Sequence, residues 1–423
     1  MKIDPALYLD PDRNAAIVIP AIAVSLFVFA YSTIFGQISV LVFYACWLPA
    51  FCMKPQILFS RIAPVLALLL IPFVATLSVF WSEAASTTLR AGIQYGTTVF
   101  CGLVAARIVS VPNLALGGVI GGSLVLFYSA MNASYAYDVV DGSYALVGAF
   151  SSKNQLGYFA SLTILFAIGV VFIFRTGWGW RLFGVFAALF AARFLQLSDS
   201  ATSLLTFILA LFVIAIARGI FALPRALRGL SILVLLALAI AVIVAAVRLG
   251  ILDGALGIFN KDTSLTGRTY LWDRGIAIGS EQPLLGLGYN AFWTVGNLPA
   301  EELWTEFYIT ARTGFHFHNT LIEAYVGLGL LGVAMLGALS LALLVLPLRV
   351  MMNRYATGGA MLCSGLALMF LVRSTVEIDY FTPYTAGSFL VPFLLLKMAD
   401  SRRDETGSRR AGFRFRAVAK AAP

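Results

Sequence analysis

The sequence predicts an all-α polytopic membrane protein of about twelve transmembrane helices, and three observations carry this prediction. Hydrophobic residues make up 60% of the 423 residues, charged residues only 12%, and the mean hydropathy is +0.91. A soluble domain cannot cover that much apolar surface. The apolar residues gather in runs long enough to cross a bilayer, and basic residues fall in alternate connections between the runs.

The apolar runs approach the roughly 17–25 residues needed to span the hydrocarbon core. Short polar or glycine- and proline-containing connections separate them, as expected for successive helices that cross back and forth. The runs cover residues 15–33, 38–53, 62–80, 91–108, 114–132, 154–174, 181–198, 202–217, 229–247, 319–347, 357–374 and 383–398.

The positions of lysine and arginine predict the orientation, because short cytoplasmic loops carry an excess of these residues. With both termini cytoplasmic, every basic cluster lies inside. This predicts a cytoplasmic N-terminus over 1–14, a membrane region over 15–398 and a basic cytoplasmic tail over 399–423. The clusters are Lys54 with Arg61, Arg175 with Arg181, Arg218 with Arg225 and Arg228, Arg349 with Arg354, and the tail from Arg402 to Lys420.

The opposite, exoplasmic side carries one long connection, residues 248–318, between the ninth and tenth runs. Within it a short helix is predicted to begin after Thr266 and to end between Gly279 and Pro283. The net charge of +9 does not indicate nucleic acid, because the basic residues are dispersed over loops and a tail. The four cysteines lie in apolar runs without metal-ligand or disulfide spacing.

Cationic side chains gather on the exoplasmic side and predict an anionic partner. Guanidinium groups match the oxygen atoms of a diphosphate and stay charged without a metal. Arg193 and Arg373 lie about one turn inside the membrane boundary, where charged residues are functional candidates. Alternatively, each extends to the interface or pairs locally, as Arg373 can with Glu377. The cationic group consists of Arg90, Lys153, Arg268, Arg274, Arg312, His316 and His318.

His318 precedes an apolar helix and has two interpretations. It is either a general base for an incoming hydroxyl or a residue that caps the helix and anchors it at the headgroups. His316 and His318 do not predict a metal site, because no cysteine or nearby carboxylate completes a ligand set in the sequence. Asn319 and Glu323 lie one turn apart, where they orient a sugar or brace the site.

A family resemblance covers residues 62–398. It includes a motif in which His318-Asn319 is followed, after nine residues, by Gly329-x-x-Gly332. This motif resembles a signature of the O-antigen ligase and Wzy-type polymerase superfamily. The Gly329 to Gly332 spacing itself predicts close helix packing. The features at Trp81-Ser82, Lys153-Asn154 and Arg373 to Asp379 are similar to the ExoQ-like exopolysaccharide polymerase branch. Other matching stretches are Leu77 to Ser82 with Leu89-Arg90, Gly148 to Asn154 with Phe159-Ala160, and Thr266 to Trp272 followed by Pro283 to Gly288.

The resemblance implies a GT-C-type fold in the bacterial inner membrane and inverting glycosyl transfer at the periplasmic face, without metal or other cofactor. The donor it implies is a polyprenyl diphosphate-linked oligosaccharide, and the acceptor is a glycan. By position, Arg268 and Arg90 match basic residues that bind the diphosphate, and His318 matches the histidine proposed as base. The sequence departs from the family after Ser200, where Ala201 replaces a basic residue. Either Arg193 substitutes for it, or the diphosphate site has one contact fewer; Arg373 is a further candidate for binding the diphosphate.

Three functions remain open at this point. The first is polymerisation of exopolysaccharide, capsule or O-antigen repeat units, with Asn319, Glu323, His316, Lys153 and Arg312 as candidate sugar-binding residues. The second is a ligase that transfers the glycan to lipid A-core. The third is a flippase or exporter of lipid-linked sugars, which typically has repeated halves and polar groups at the midplane. A flippase and a chain-length regulator are expected protein partners of the polymerase, and nucleic acid is not an expected partner.

Overall fold

A computed structural model describes residues 6–60, 62–138, 142–249, 267–353 and 357–400. Two strands, β1 (Tyr135–Asp138) and β2 (Ser143–Leu146), form an antiparallel hairpin. The α-helices are α1 (Ala6–Leu9), α2 (Ala15–Met53), α3 (Gln56–Phe59), α4 (Ile62–Leu77), α5 (Ala85–Ile108), α6 (Val111–Met131), α7 (Lys153–Ile168), α8 (Trp178–Leu197), α9 (Ala201–Ala222), α10 (Arg225–Arg248), α11 (Arg268–Gly279), α12 (Leu298–Glu306), α13 (Thr320–Met351), α14 (Gly358–Arg373) and α15 (Ala386–Asp400).

Each apolar run of the sequence falls on one of these helices. In the described ranges, 8 helical segments are long and apolar enough to cross a membrane. The chain is therefore a helical, multi-pass membrane protein, to which the structure adds the short β1–β2 hairpin. The number of crossings stays a prediction. The basic tail and most of the segment before Gly267, including the predicted cap Thr266, lie outside the described residues.

Two of the long helices are interrupted at a glycine. In α2, Gly36 has φ 61° and ψ −149° and separates the first two apolar runs. In α13, Gly329 has φ 62° and ψ −155°, a conformation that side chains with a Cβ rarely adopt. The predicted packing of two helices at the Gly329 to Gly332 spacing is therefore wrong for Gly329. This residue breaks the helix and allows a loop, rather than another helix, to approach it.

The loop that approaches α13 satisfies the backbone groups freed by the break. The Leu287 and Gly288 N–H groups donate to the carbonyl oxygens of Val326 and Gly327, both at 2.9 Å. Beyond the break, the Leu330 N–H donates to the Pro283 carbonyl at 2.8 Å. Unpaired backbone groups are costly at membrane depth. The loop 283–288 is thus part of the helix bundle and not a loose connection.

The Trp-Ser motif holds the same loop from the side of α4. The Trp81 indole N–H donates to the Leu285 carbonyl at 3.0 Å. A Cβ on Gly288 would lie 2.4 Å from the Ser82 side chain, so only glycine fits there. These contacts give the motif a structural function in addition to its position beside Arg90.

The connections that the sequence assigns to the exoplasmic side meet at one end of the bundle. Ser200, before α9, donates to Asn154 at the start of α7, and Asn154 donates to Glu377, after α14. Residues 267–318 have a small apolar core of their own, which includes Leu271, Trp304 and Phe317 and packs on the start of α13. At the other end Arg107 pairs with Asp400 at the end of α15.

Candidate active site

Glu377 is the centre of the polar contacts at this end of the bundle. Its Oε1 accepts hydrogen bonds from the Asn154 amide at 3.0 Å and from the Arg268 guanidinium at 3.1 Å. Its Oε2 faces Nδ1 of His318 at 3.4 Å and Nε2 of His316 at 3.8 Å. The side chain is only 8% exposed. One buried carboxylate therefore joins residues from three other segments of the chain: the start of α7, the segment at Arg268 and the turn before α13.

The segment that carries Glu377 is fixed by the first turn of α13. The Thr320 hydroxyl donates to the Glu377 carbonyl at 2.8 Å, and the Thr320 N–H donates to the Ser374 carbonyl at 2.9 Å. The Asn319 amide donates to the Thr375 carbonyl at 3.1 Å. These bonds hold the carboxylate at a fixed height above the start of α13.

The turn before α13 orients His318. The residue has φ 51°, which is uncommon for a residue with a side chain. Its N–H donates to Nδ1 of His316 at 3.1 Å, and the two rings lie 4.1 Å apart. The Glu323 carboxylate accepts the Phe317 N–H at 3.0 Å, while Asn319 Oδ1 caps the helix by accepting from the Leu321 N–H at 3.0 Å. Asn319 and Glu323 thus support the turn.

Arg268 is the first residue of α11, and it follows Gly267, whose φ of 79° turns the chain into the helix. Besides its bond to Glu377, its guanidinium donates to the Val376 carbonyl at 2.8 Å. Only 14% of the side chain is exposed. A guanidinium has five N–H donors, so Arg268 retains donors that an anion can use.

A cavity of about 450 Å³ opens above these residues, within the usual size range of small-molecule sites. Cationic, polar and aromatic side chains from the hairpin, the start of α7 and the 267–318 connection form its wall. The lining residues are Ala136, Tyr137, Val147, Ser151, Ser152, Lys153, Asn154, Arg268, Leu271, Phe307, Tyr308, Ile309, Thr310, Ala311, Thr313, Gly314, Phe315 and His318.

The protonation states of Glu377 and His316 follow from their burial and from the charged groups beside them. Burial alone would raise the pKa of Glu377, but His318 and Arg268 beside it hold that pKa well below its usual value. Burial, together with the neighbouring His318, lowers the pKa of His316 to about 3. Glu377 is therefore an anion and His316 a neutral ring near pH 7.

The sequence predicted no carboxylate near the two histidines, and this prediction is wrong. Glu377 places a carboxylate oxygen beside them, and one ligand atom from each of the three residues lies within 4.8 Å of the others. However, His316 Nδ1 accepts a backbone N–H, so the neutral ring carries its proton on Nε2, which faces Glu377. Arg268 also donates to the same carboxylate. The group fits a hydrogen-bonded cluster better than a metal site.

Arg373 lies in a second polar cluster below the first. Its guanidinium donates two hydrogen bonds to Asp379 and lies 4.3 Å from the ring centroid of Tyr158. The sequence suggested Glu377 as its local partner, whereas the structure pairs it with Asp379 because Glu377 turns toward His318. Only 2% of Arg373 is exposed, and it does not line the cavity.

The other candidate residues lie at different distances from the centre of the site. Lys153 lines the cavity, and its ammonium donates to the Ser143 hydroxyl at 2.5 Å. Arg312 pairs with Glu301 at 3.0 Å and does not line the cavity, although its neighbours do. Arg193 is exposed and donates to Gln196 at 2.9 Å. Arg90 is also exposed and outside the cavity lining.

Sequence reasoning assigned no functional role to Asn154 or Glu377, although both lie in stretches noted for other reasons. Asn154 follows Lys153 at the start of α7, and its side-chain oxygen Oδ1 accepts a hydrogen bond from the Ser200 hydroxyl at 2.8 Å. The available signal was polar residues in connections predicted to lie on one side of the membrane: Asn154 at the start of α7, Ser200 before α9 and Glu377 after α14. Their pairing depends on how the helices pack, which the sequence does not display.

These features define a class: a multi-pass membrane protein whose connections enclose a cationic, aromatic cavity at one end of the helix bundle. Residues 186–337 match the family model described as O-antigen ligase. The chain is also 41% identical over 403 residues, 95% of its length and 93% of the relative's, to the exopolysaccharide production protein ExoQ of Rhizobium meliloti (strain 1021). The chain belongs to the O-antigen ligase family and is an ExoQ-like member of it.

Proposed function

We propose that this protein is a glycosyltransferase of exopolysaccharide synthesis. It transfers a glycan from a polyprenyl diphosphate carrier to a growing chain and so polymerises repeat units. The observation that carries this proposal is the placement of a cation, Arg268, and a candidate base, His318, at one cavity and on one carboxylate, Glu377. The likeness to a protein named for exopolysaccharide production supports the polymer as product.

In the proposed reaction His318 is the general base. Glu377 faces Nδ1 of its ring and favours the tautomer with the proton on that nitrogen, which leaves Nε2 to accept a proton from substrate. Nε2 takes the proton of an acceptor sugar hydroxyl while that oxygen attacks the anomeric carbon of the donor. The anomeric carbon–oxygen bond to the diphosphate breaks, and the diphosphate departs with the electron pair. A single displacement of this kind inverts the anomeric configuration.

Arg268 and Lys153 stabilise the negative charge that develops on the leaving diphosphate. Both line the cavity, and fixed cations near developing charge are an effective form of catalysis. No metal has a step in this mechanism. Lys153, rather than Arg193, takes the place of the basic residue absent after Ser200, because Ser200 bonds to the neighbouring Asn154, while Arg193 projects from an exposed helix face.

The remaining candidates support the site from outside the cavity. His316 and Asn319 fix the turn of His318, and Glu323 fixes the backbone one residue earlier. Arg373 holds the 374–379 segment through Asp379. Arg90 and Arg312 are assigned to the approach of the carrier and the glycan, since both are more exposed than the cavity cations.

The site faces the periplasm in this proposal, with both termini in the cytoplasm and the protein in the inner membrane. The support is the positive-inside pattern of the loops, together with the meeting of all polar connections of one side at the cavity. The polyprenyl tail then lies among the membrane helices while the glycan extends under the 267–318 connection. A flippase would deliver the carrier, and a chain-length regulator would limit the product.

The direct test mixes the purified protein with lipid-linked repeat units isolated from the host and separates the products on a gel. Wild-type protein is expected to produce a ladder of longer glycans. His318→Ala and Arg268→Ala are expected to give none, while the exposed variant Arg193→Ala produces the ladder. Unchanged ladders from the first two variants would remove those residues from the mechanism.

The second candidate function is ligation of the glycan to lipid A-core, which the description of the matched family model favours. Both reactions use the same donor and leaving group, so the cavity serves either. Deletion of the gene decides between them. Loss of exopolysaccharide with intact lipopolysaccharide banding supports the polymerase, and loss of long lipopolysaccharide supports the ligase. Transport of lipid-linked sugar without any new glycosidic bond would contradict both.

A further inference from the structure

The β1–β2 hairpin presents three exposed aromatic side chains. Tyr135, Tyr137 and Tyr144 are 51%, 61% and 70% exposed. Tyr137 stands opposite Tyr144 in the register, and side chains two residues apart on a strand point to the same side. The three tyrosines therefore share one face of the hairpin, which we call the tyrosine face.

Two rings of the tyrosine face form a flat surface. The ring centroids of Tyr135 and Tyr144 lie 5.4 Å apart with an angle of 18° between the planes. The hairpin that carries them is anchored, because Ala145 and Leu146 at the end of β2 are buried and the Ser134 hydroxyl donates to the Gly148 carbonyl at 2.6 Å. The rings are thus held in place while their outer surfaces stay open.

The tyrosine face continues into the cavity of the candidate active site. Tyr137 belongs to both, and it lines the cavity together with Lys153 and His318. The Lys153 ammonium bonds to Ser143 at the start of β2, so the hairpin is tied to the first residue of α7. A chain that leaves the cavity on this side meets the tyrosines next.

The chemistry of this face fits a sugar chain better than lipid tails. Aromatic rings carry partial negative charge on their faces, which attracts the slightly positive C–H groups of a pyranose ring, and the phenol hydroxyls bond to sugar hydroxyls. Segments that insert into lipid carry Trp, Phe and Leu on the inserted side, whereas every exposed ring of this hairpin is a tyrosine with a polar hydroxyl. The one large aliphatic residue of these strands, Leu146, is 3% exposed. We propose that the tyrosine face binds pyranose units of the glycan chain next to the catalytic cavity.

This inference rests on the proposed function for the identity of the glycan, but its test requires no transfer reaction. The probe is the soluble oligosaccharide obtained by partial acid hydrolysis of the host's exopolysaccharide. Its binding to the full-length protein in lipid nanodiscs is measured by calorimetry. The Tyr135→Ala/Tyr144→Ala protein is expected to bind about tenfold more weakly than wild type, because two stacking surfaces are lost.

Two control proteins separate ring stacking from other effects. Tyr135→Phe/Tyr144→Phe keeps both rings and is expected to retain most of the affinity. Trp178→Ala removes a ring that is 78% exposed at the start of α8, away from the cavity, and is expected to bind as wild type does. Wild-type affinity in the alanine protein overturns the inference. So does lower retention of the alanine protein in nanodiscs with unchanged affinity, since that result means headgroup anchoring.

The same measurement distinguishes the two proposals. If the wild-type protein binds the oligosaccharide through the tyrosines but forms no glycosidic bond with lipid-linked substrate, the proposed function fails and the tyrosine face stands. If it polymerises the substrate and the alanine protein binds the oligosaccharide normally, only the tyrosine face fails.

Discussion

At the scale of single residues, the site depends on one carboxylate, Glu377, whose two oxygen atoms contact different partners. Oε1 of Glu377 holds Arg268 and Asn154, and Oε2 faces the two histidines. The cation and the candidate base are therefore positioned by the same group. Removing the charge of that group affects both partners without removing either of them.

We expect Glu377→Gln to lower the rate of glycan transfer by about 10²-fold, the size of a typical general-base contribution. The amide oxygen still accepts from Arg268, but the amide no longer fixes the tautomer of His318. The measurement is the initial rate of polymer formation from lipid-linked repeat units. Glu302→Gln is the matched control, because Glu302 is 70% exposed and pairs with Arg274 outside the cavity lining. A wild-type rate for Glu377→Gln would contradict the positioning role.

The low pKa of Glu377 also predicts how stability depends on pH. Since folding lowers this pKa from its ordinary value of 4.5, the folded protein favours the charged form. The stabilisation is complete above that value and is lost as the pH falls toward the lower pKa of the folded protein. Thermal unfolding in detergent, followed from neutral to acid pH, should show a fall in midpoint that is smaller for Glu377→Gln. Parallel curves for the two proteins would contradict this account.

At the scale of elements, the break in α13 positions the loop that lies behind the site. Gly329 breaks the helix, and loop 283–288 fills the gap with backbone hydrogen bonds. The glycine spacing was visible in the sequence, but glycine is expected both at a helix break and at a close contact between helices. Whether this glycine breaks the helix or packs against another helix depends on the hydrogen-bond partners of the freed backbone, which lie 39 to 47 residues earlier in the chain.

We expect Gly329→Ala to destabilise the protein by about 1–3 kcal/mol, the usual range for a strained backbone conformation. The new Cβ would also lie 2.4 Å from the backbone of Leu284, so loop 283–288 must move. The midpoint of thermal unfolding measures the loss. Gly337→Ala is the control in the same helix, because nothing lies within 4 Å of a Cβ there. Equal stability of the two variants would contradict a structural role for the break.

At the scale of the whole molecule, the meeting of distant connections at one end creates the cavity. We expect this end to face the periplasm. In a Cys52→Ser background, which removes the exposed native thiol, an impermeant maleimide should label Val295→Cys in intact spheroplasts. It should label Gly177→Cys only after the membrane is permeabilised. The exposed Val295 precedes α12 and the exposed Gly177 precedes α8, so the reverse pattern would place the site in the cytoplasm.

The sequence by itself determined the helical membrane class and showed where the long apolar segments lie, because apolar length and the placement of charges are local properties of the chain. It also identified Arg268, His318 and Lys153 as candidates, since they belong to the cationic group predicted on the exoplasmic side and the chain has only two histidines. Only the tertiary structure decided which of these residues share the cavity. It turned Arg373 toward Asp379, left Arg90 and Arg193 outside the cavity, and brought Glu377 to the histidines. The physical reason is that such pairs depend on how helices distant in sequence pack.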